Sequence, residues 1–282
     1  MQIDFEIKGV QIGDRHPVRI MGIINLSPES FYKGSVFLKK DEIVQNAQKM
    51  INEGCEILDV GGRSTAPGVE PISVQTEKER VLPIIKALLD ETSILISVDT
   101  QYAEVADDAL RLGCHIVNDV SGLQTDPTLV EPIKEFNCPL IIMATEKYPG
   151  DRLTMSEIRD ALNKSISYAT ENGINPKNII IDPGIGRWVP TKLYQYNLKI
   201  INQLDQLQEF RKPILVGISR KSFIGDILQK PNPADRLIGS LAATAIAVYN
   251  GAHIIRTHDV SATRDVVRIS EALRTQAAGG TS

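Results

Sequence analysis

Short apolar runs alternate with longer amphipathic segments along almost the whole chain. A run such as Ile20–Ile24 has the length and composition of a strand buried on both faces. The segments between the runs, such as 41–51, carry apolar residues at helical spacing and predict helices. About eight strand–helix units follow one another at spacings typical of a closed parallel barrel. We therefore predict an α/β fold, a single (β/α)8 TIM barrel, with a doubly wound open sheet as the alternative.

Residues outside this regular pattern define the two ends of the chain. Apolar residues alternate weakly with polar ones between residues 3 and 12, which predicts an N-terminal β-hairpin over residues 1–18 that covers the bottom of the barrel. No linker or change in composition interrupts residues 19–275, so we assign them to one barrel domain. The small and polar residues of 276–282 predict a disordered tail.

Several helix boundaries are also predicted. Thr76 and Glu79 form a possible capping box at the start of a helix over 76–90. Further along the chain, the pattern predicts one continuous helix over 192–206 and another over 233–250.

Composition narrows the range of partners. The 282 residues carry a formal net charge of −4 without a basic block, which argues against nucleic acid as a partner. No apolar stretch approaches the roughly 20 residues that span a bilayer, and the acidic residues near the N-terminus are unlike a signal peptide. Cys55, Cys114 and Cys138 fit neither a zinc site nor a disulfide framework. We expect a cytoplasmic protein with reduced, buried cysteines and no membrane contact.

Polar and charged residues stand at the ends of the predicted strands. In a parallel barrel these ends meet on one side, where active sites lie. Any one Asp or Asn there is equally explained as a cap for a turn, but the shared chemistry of the whole set favours a site. The residues are Asn25, Asp59, Asp99, Asn118, Asp119, Asp182, Lys221, Arg256 and His258.

The set divides into two chemical groups. Carboxylates, an amide and a lysine suit the hydrogen-bonding edge of a planar heterocycle such as an amino-pyrimidinone, and this group is Asp99, Asn118, Asp182 and Lys221. Cations suit phosphate or pyrophosphate, and this group is Arg256, His258, Arg220 and Arg63. Asn25 offers the neutral oxygen that Mg²⁺ bound to pyrophosphate accepts.

Two long loops follow the first two barrel strands, over 26–40 and 63–75. Long loops at this end of a barrel are usually lids over the site. The alternative is that they are simple surface excursions.

Seven segments, in order and at successive strand ends, resemble the dihydropteroate synthase family of pterin-binding barrel enzymes. The similarity extends from Met21 to Val260, nearly the whole chain. The segments are MGIINLSPESF (21–31), DVGGRSTAPG (59–68), SVDT (97–100), NDVSG (118–122), DPGIG (182–186), GISRKSFIG (217–225) and RTHDV (256–260).

This resemblance implies a reaction between 6-hydroxymethyl-dihydropterin pyrophosphate and an aromatic amine such as p-aminobenzoate, with release of pyrophosphate, in folate biosynthesis. It also implies Mg²⁺ as cofactor and a homodimer. Asn25 would contact Mg²⁺ and pyrophosphate, and Arg256 and His258 would hold the pyrophosphate. The implied pterin-binding residues are Asp99, Asn118, Asp182 and Lys221, and those on the arylamine side are Thr65, Ser219 and Arg220.

The sequence departs from the family pattern mainly on the arylamine side. Arg63 stands where glutamate is usual and Ala66 where arginine is usual; Arg187 and Val189 replace a phenylalanine and a lysine. A milder change puts Glu29 in place of aspartate.

These departures leave the identity of the amine open. Arg63 and Arg187, which we also place on the arylamine side, either compensate for the two lost cations or bind a phosphate on a larger acceptor. Such an acceptor is the ribofuranosyl-aminobenzene phosphate of methanopterin biosynthesis. Two further alternatives are a methyl-pterin-dependent corrinoid methyltransferase and a non-catalytic pterin-binding protein. The cationic residues argue against the methyltransferase, which has no pyrophosphate to hold.

Overall fold

The structure, a computed structural model, describes residues 2–27, 40–63 and 70–279. The chain opens with an antiparallel hairpin of β1 (Asp4–Ile7) and β2 (Val10–Gly13). Eight further strands pair in parallel, in the order β8-β7-β6-β5-β4-β3-β10-β9. They are β3 (Arg19–Asn25), β4 (Ile57–Gly61), β5 (Leu95–Asp99), β6 (Ile116–Asp119), β7 (Leu140–Met143), β8 (Ile179–Asp182), β9 (Leu215–Gly217) and β10 (Ile254–Thr257).

A single backbone bridge closes the sheet. Ile181 of β8 pairs in parallel with Ile214, the residue before β9, and so joins the two ends of the strand order. The predicted TIM barrel is therefore confirmed, and the open sheet that we considered as the alternative is wrong.

Helices lie between the barrel strands. Several boundaries differ from the predicted ones because local contacts decide where a helix begins and ends. The helices are α1 (Lys40–Asn52), α2 (Val74–Glu91), α3 (Ala103–Leu112), α4 (Val130–Phe136), α5 (Met155–Glu171), α6 (Tyr194–Asn202), α7 (Ser222–Leu228), α8 (Leu237–Tyr249) and α9 (Val260–Gly279).

Four of these differences matter for the sequence analysis. Helix α2 begins earlier than predicted, because Ser73 rather than Thr76 is its cap and accepts the Thr76 N–H at 3.0 Å. The segment predicted as one helix over 192–206 divides into α6 and a 3-10 turn at Leu204–Phe210. Helix α7 was not predicted, because it is only two turns long. Helix α9 continues to Gly279, into the segment that we predicted as disordered.

The lower half of the barrel interior is an apolar layer. Each of the eight strands contributes one buried side chain to it, and Phe5, Ile7 and Ile12 of the hairpin pack in the same cluster. The hairpin therefore packs against the bottom of the barrel. The strand residues of this layer are Met21, Ile57, Leu95, Ile116, Ile141, Ile180, Leu215 and Ile254.

Alternation along the strands then places polar side chains directly above this layer. Side chains two residues apart lie on the same face of a strand, so Asp59, Asn118, Asp182 and Arg256 share the inward face with the apolar layer. The intervening residues, such as Val60, belong to the larger core between strands and helices. Both faces of the lower strands are thus buried, which explains the continuous apolar runs in the sequence.

Two histidines connect neighbouring strands at the bottom of the barrel. His115 Nδ1 accepts the Ile96 N–H at 2.9 Å, and His253 Nδ1 accepts the Ile214 N–H at 3.1 Å. The other ring nitrogen of His253 lies 3.2 Å from Asp14 Oδ1, next to the hairpin. Burial lowers the pKa of both histidines, so the neutral ring that accepts these bonds is favoured.

The three cysteines are buried and form no disulfide, as predicted. Among the described residues, no helix combines the length and the apolar character needed to cross a membrane.

We predict that His253→Phe lowers the free energy of unfolding by about 2 kcal/mol, because the buried Ile214 N–H loses its acceptor. Urea denaturation followed by circular dichroism measures this change. His16→Phe is the matched control, since the His16 side chain pairs with Asp4 near the surface and the loss of this pair costs less than about 0.5 kcal/mol. Equal stabilities of the two variants would contradict the role of His253.

Candidate active site

A cavity of about 410 Å³ opens at the C-terminal end of the barrel strands. Most of the predicted site residues line it, so the structure brings together positions that are far apart in sequence. Asn118 and Asp182 lie toward the C-terminal ends of β6 and β8, which β7 separates. Thr65 and Ala66 are outside the described residues, as are Glu29 and most of the first loop. The predicted residues that line the cavity are Asn25, Arg63, Asp99, Arg187, Ser219, Arg220, Lys221, Arg256 and His258.

Arg256 is the centre of a hydrogen-bonded network at the base of the cavity. Its Nε donates to Asp59 Oδ2 at 2.6 Å, and its Nη2 donates to Asp99 Oδ2 at 2.8 Å. Asp59 Oδ2 also accepts from Asn118 Nδ2 at 3.0 Å. One guanidinium therefore fixes two carboxylates, and one of these carboxylates orients the amide of Asn118.

Asp59 is a residue to which the sequence analysis gave no role beyond its place at a strand end. Its side chain is fully buried, and its Oδ1 has no hydrogen-bond partner among the described residues. The signal that could have singled it out is the alternation of β4, which places it two residues above Ile57 on the inward face. Asp119, by contrast, only caps a turn, with Oδ1 and Oδ2 accepting the Ser121 and Leu123 N–H groups.

Lys221 and Asp182 form the second polar group of the site. Lys221 precedes α7 and donates through Nζ to the carbonyl of Ile185. Burial lowers the pKa of Lys221 to about 8, although the Asp182 carboxylate opposes the shift. Asp182 accepts the Gly184 N–H at 2.7 Å, and burial raises its pKa against the attraction of Lys221. The Asp182 carboxylate and the Lys221 ammonium thus attract one another at this end of the barrel.

The two arginines in altered family positions are already paired within the protein. Arg63 donates to Glu77 Oε2 at 2.9 Å and to the Ile72 carbonyl at 2.6 Å, and its guanidinium lies over the Tyr102 ring at 4.8 Å. Arg187 lies 3.6 Å from Asp226 Oδ2, near the surface. Because Glu77 is fully buried, its charge needs the Arg63 cation as a partner.

Other predicted residues lie near the mouth of the cavity. Arg220 makes two bonds to Asp259, at 2.8 and 2.7 Å, so its charge is also compensated. Ser219 Oγ lies 3.0 Å from His258 Nδ1 and accepts the His258 N–H at 3.3 Å. Asn25 Oδ1 accepts the Ser27 N–H at 3.0 Å, which fixes the carboxamide at the tip of β3.

Crowding of acidic groups changes the titration of Asp99. Burial raises the pKa of Asp99 to about 7 against the attraction of Arg256, and the Asp59 carboxylate adds to the increase. The unfolded chain ionises this group near its ordinary pKa of 3.8. The stability that the protonated form contributes is therefore complete below the ordinary pKa and is lost as the pH rises through about 7.

We predict that Asp99→Asn raises the melting temperature of the ligand-free protein at pH 8 by a few degrees, and changes it little at pH 4. The amide keeps an oxygen for Arg256 and cannot ionise. Thermal unfolding at the two pH values measures the effect, with Asp90→Asn as control because Asp90 lies in an exposed pair with Lys86. A lower melting temperature of Asp99→Asn at pH 8 would refute the prediction.

Comparison with known proteins agrees with this geometry. A family model for pterin binding enzymes matches residues 21–258. The dihydropteroate synthase of Synechocystis sp. is 38% identical over 261 residues, which cover 90% of this chain and 89% of that protein. The solved dihydropteroate synthase of Xanthomonas albilineans with 4-aminobenzoic acid has a TM-score of 0.86 at 32% identity, covering 97% of this chain and 99% of that one.

A second solved relative is similar along the same length. It is a dihydropteroate synthase from Coxiella burnetii in complex with pteroic acid, with a TM-score of 0.84 at 36% identity over 96% of this chain and 98% of that one. The family model matches well over half of the chain. The sequence identities to these relatives are also higher than those of proteins that share the fold alone. The chain therefore belongs to the family of pterin binding enzymes, and its relatives in that family are dihydropteroate synthases.

Proposed function

We propose that the chain is a dihydropteroate synthase: it condenses 6-hydroxymethyl-7,8-dihydropterin pyrophosphate with p-aminobenzoate and releases pyrophosphate, in folate biosynthesis. The observation that carries this proposal is the network of Arg256 with Asp59, Asp99 and Asn118 at the base of the cavity, in a chain whose relatives have this activity. The network offers carboxylate, amide and guanidinium groups in one fixed arrangement.

The pterin ring binds at the polar layer above the barrel floor. Its amino-pyrimidinone edge donates two parallel hydrogen bonds, which a carboxylate such as Asp182 accepts. Asn118 supplies both a donor and an acceptor, and Asp99 and Lys221 complete the pterin-binding group. Because Asp59 holds the amide nitrogen of Asn118, the amide enters the site already oriented, which reduces the entropy lost on binding.

The pyrophosphate binds toward Arg256 and His258. Arg256 uses Nε and Nη2 for its two carboxylates, and Nη1 carries two further N–H groups. As the C–O bond to pyrophosphate breaks, these donors stabilise the negative charge that develops on the leaving oxygen. The positive charge left on the methylene is spread over the electron-rich pterin ring, near the carboxylates of Asp99 and Asp182.

The amine then forms the new bond. The nitrogen lone pair of p-aminobenzoate attacks the methylene carbon, and the nitrogen loses a proton to water once the C–N bond has formed. An aromatic amine is already nucleophilic as the free base, so no strong general base is needed. Ser219 and Arg220 line the cavity, and together with Thr65 they are the residues that we propose for the amine.

The paired state of Arg63 favours p-aminobenzoate over a phosphate-bearing acceptor. A guanidinium that neutralises the buried Glu77 and lies over Tyr102 is a poor ligand for a second anion, because binding would leave Glu77 unpaired. We therefore interpret Arg63 as part of the structure of the loop rather than as a phosphate site. The methyltransferase and the non-catalytic protein remain alternatives that the activity assay below separates from the synthase.

We further propose Asn25 as the protein ligand for Mg²⁺. Its carboxamide oxygen has the chemistry that Mg²⁺ accepts, and the ion usually keeps several waters and binds through substrate phosphates. Within the described part of the chain, no group of three acidic, histidine or cysteine side chains is placed to hold a metal, so the ion would come with the pyrophosphate. When bound, Mg²⁺ neutralises charge on the leaving group.

A coupled assay of pyrophosphate release tests the function. We expect turnover that needs both dihydropterin pyrophosphate and p-aminobenzoate, and a fall in kcat/KM of about 100-fold or more for Arg256→Met, because both the leaving-group donor and the anchor of Asp59 are lost. Arg159→Met is the matched control, since Arg159 pairs with Glu209 at the surface. Pterin binding without turnover by the wild-type protein would support the non-catalytic alternative.

The same assay separates the remaining possibilities. Preference for ribofuranosyl-aminobenzene phosphate over p-aminobenzoate would overturn the assignment of the amine, and methyl transfer from a methyl-pterin would overturn the reaction class.

For the metal, Asn25→Ala is expected to raise the Mg²⁺ concentration that gives half-maximal rate, because an oxygen ligand is removed. An unchanged Mg²⁺ dependence would exclude Asn25 as the ligand.

We also propose that the protein is a homodimer that associates through α8 and α9. The sequence of α8 contains no charged residue, and a helix that is apolar all round is normally buried on all sides. Yet Ile238 is 72% exposed and Ile246 50% exposed, and α9 presents Ile269 and Leu273 at 66% and 59%. A second copy of the same face would bury these side chains by two-fold symmetry.

The cytoplasmic location stays a prediction of the sequence.

We predict that Ile246→Arg combined with Ile269→Arg converts a dimer into a folded monomer, because like charges in the centre of an apolar interface must be desolvated without a partner. Light scattering after size-exclusion chromatography measures the mass. Leu112→Arg, at an exposed leucine of α3, is the control and keeps the dimer. A monomeric wild-type protein would refute the proposal.

A further inference from the structure

Trp188 and Lys221 form a contact beside the cavity that the proposed reaction does not explain. Trp188 is the single tryptophan of the chain and lines the cavity from the loop between β8 and α6. Its ring lies over Lys221 Nζ, 5.0 Å from the ring centroid, and its Nε1 donates to the Ile185 carbonyl at 3.2 Å. Lys221 Nζ donates to that same carbonyl. The two side chains thus share an acceptor as well as a cation–π contact.

Two glycines make room for the Trp188 ring. A Cβ atom at Gly150 would lie 2.2 Å from Trp188 Cδ1, and one at Gly186 would lie 3.0 Å from Nε1. Both glycines have positive φ angles, +61° and +139°, which other residues rarely adopt. The indole therefore rests directly on the backbone of Gly150, in the loop between β7 and α5.

Lys192 connects the loop that contains Gly150 with the loop that contains Gly184. Its side chain is fully buried, and its Nζ donates to the Gly150 carbonyl at 3.0 Å and to the Gly184 carbonyl at 2.7 Å. Gly150 belongs to the loop that supports Trp188, while Gly184 follows Asp182 in the loop that carries Ile185. Burial of a lysine is costly, and here it lowers the pKa of the amine to about 7. Charged or neutral, the amine has N–H groups for both carbonyls.

We propose that Lys192 is a positioning residue that joins these two loops and thereby holds Trp188 over Lys221. This inference deepens the proposed function and rests on it, because Lys221 is one of the proposed pterin-binding residues. The Lys221 side chain has four rotatable bonds, which the Ile185 carbonyl and the Trp188 ring together restrain. Trp188 keeps the ammonium next to Asp182 and limits its contact with water.

The first test needs no substrate, because Trp188 is the only indole in the protein. We compare emission and acrylamide quenching of wild type, Lys192→Met and Lys212→Met. Methionine keeps the length of the side chain without its N–H donors. Lys212, which donates to the Pro176 carbonyl, is the matched control. We expect red-shifted emission and stronger quenching for Lys192→Met alone. Unchanged emission and quenching in a folded Lys192→Met protein would overturn the proposal.

The second test uses Trp188→Leu and decides the matter if Lys192→Met does not fold. Removing the ring exposes Lys221, so its pKa rises from about 8 toward its ordinary value and the alkaline limb of kcat/KM moves up by about one pH unit. The KM for the pterin substrate rises about tenfold. Tyr148→Leu, at an exposed aromatic residue of the neighbouring loop, changes neither quantity. An unchanged alkaline limb in Trp188→Leu would overturn the proposal.

Failure of the proposed function gives a different result. If the wild-type protein shows no turnover with either amine while Lys192→Met still changes the emission of Trp188, the function is wrong and the link between Lys192 and Trp188 stands. If turnover is present and both tests fail, the function stands and Lys192 only fills space.

Discussion

The ion pairs of Arg256 with Asp59 and Asp99 are the interaction on which the whole site depends. Three charges share the base of a narrow barrel, where each one alone would be expensive to remove from water. Burial raises the pKa of Asp99 to about 7, because the single cation opposes this shift only in part and the Asp59 carboxylate adds to it. An anion that bound Arg256 would weaken its attraction for Asp99 and so favour the protonated form of Asp99.

The barrel beneath this network explains how such a cluster is tolerated. One apolar side chain from each strand and three from the hairpin form a continuous floor, and burial of this floor stabilises the fold independently of the site. The buried charged side chains are confined to the polar layer directly above this floor. Stability and function are thereby divided between the two ends of the same strands, as in other barrels of this type.

Much of this organisation was predictable. The fold class, the hairpin and the set of strand-end residues follow from periodicity, because strands that are buried on both faces must be apolar and the polar residues at their ends stand out. The partners of Arg63 were not predictable. Arg63 was expected either to compensate for the lost cations or to bind a phosphate on the acceptor, yet it pairs with Glu77, which is fourteen positions further along the chain. The packing of α2 beside β4 brings the two side chains together.

By itself, the sequence determined which chemical groups stand at the strand ends and which family they resemble, since these properties depend on residue type and spacing. The tertiary structure decided which group neutralises which. Asp59 became the orienting partner of Asn118 and Arg256, which are 59 and 197 positions away. Lys192 became the link between two loops. The physical reason is that hydrogen bonds and ion pairs act over a few ångströms, and distances in space across a closed barrel are unrelated to distances along the chain.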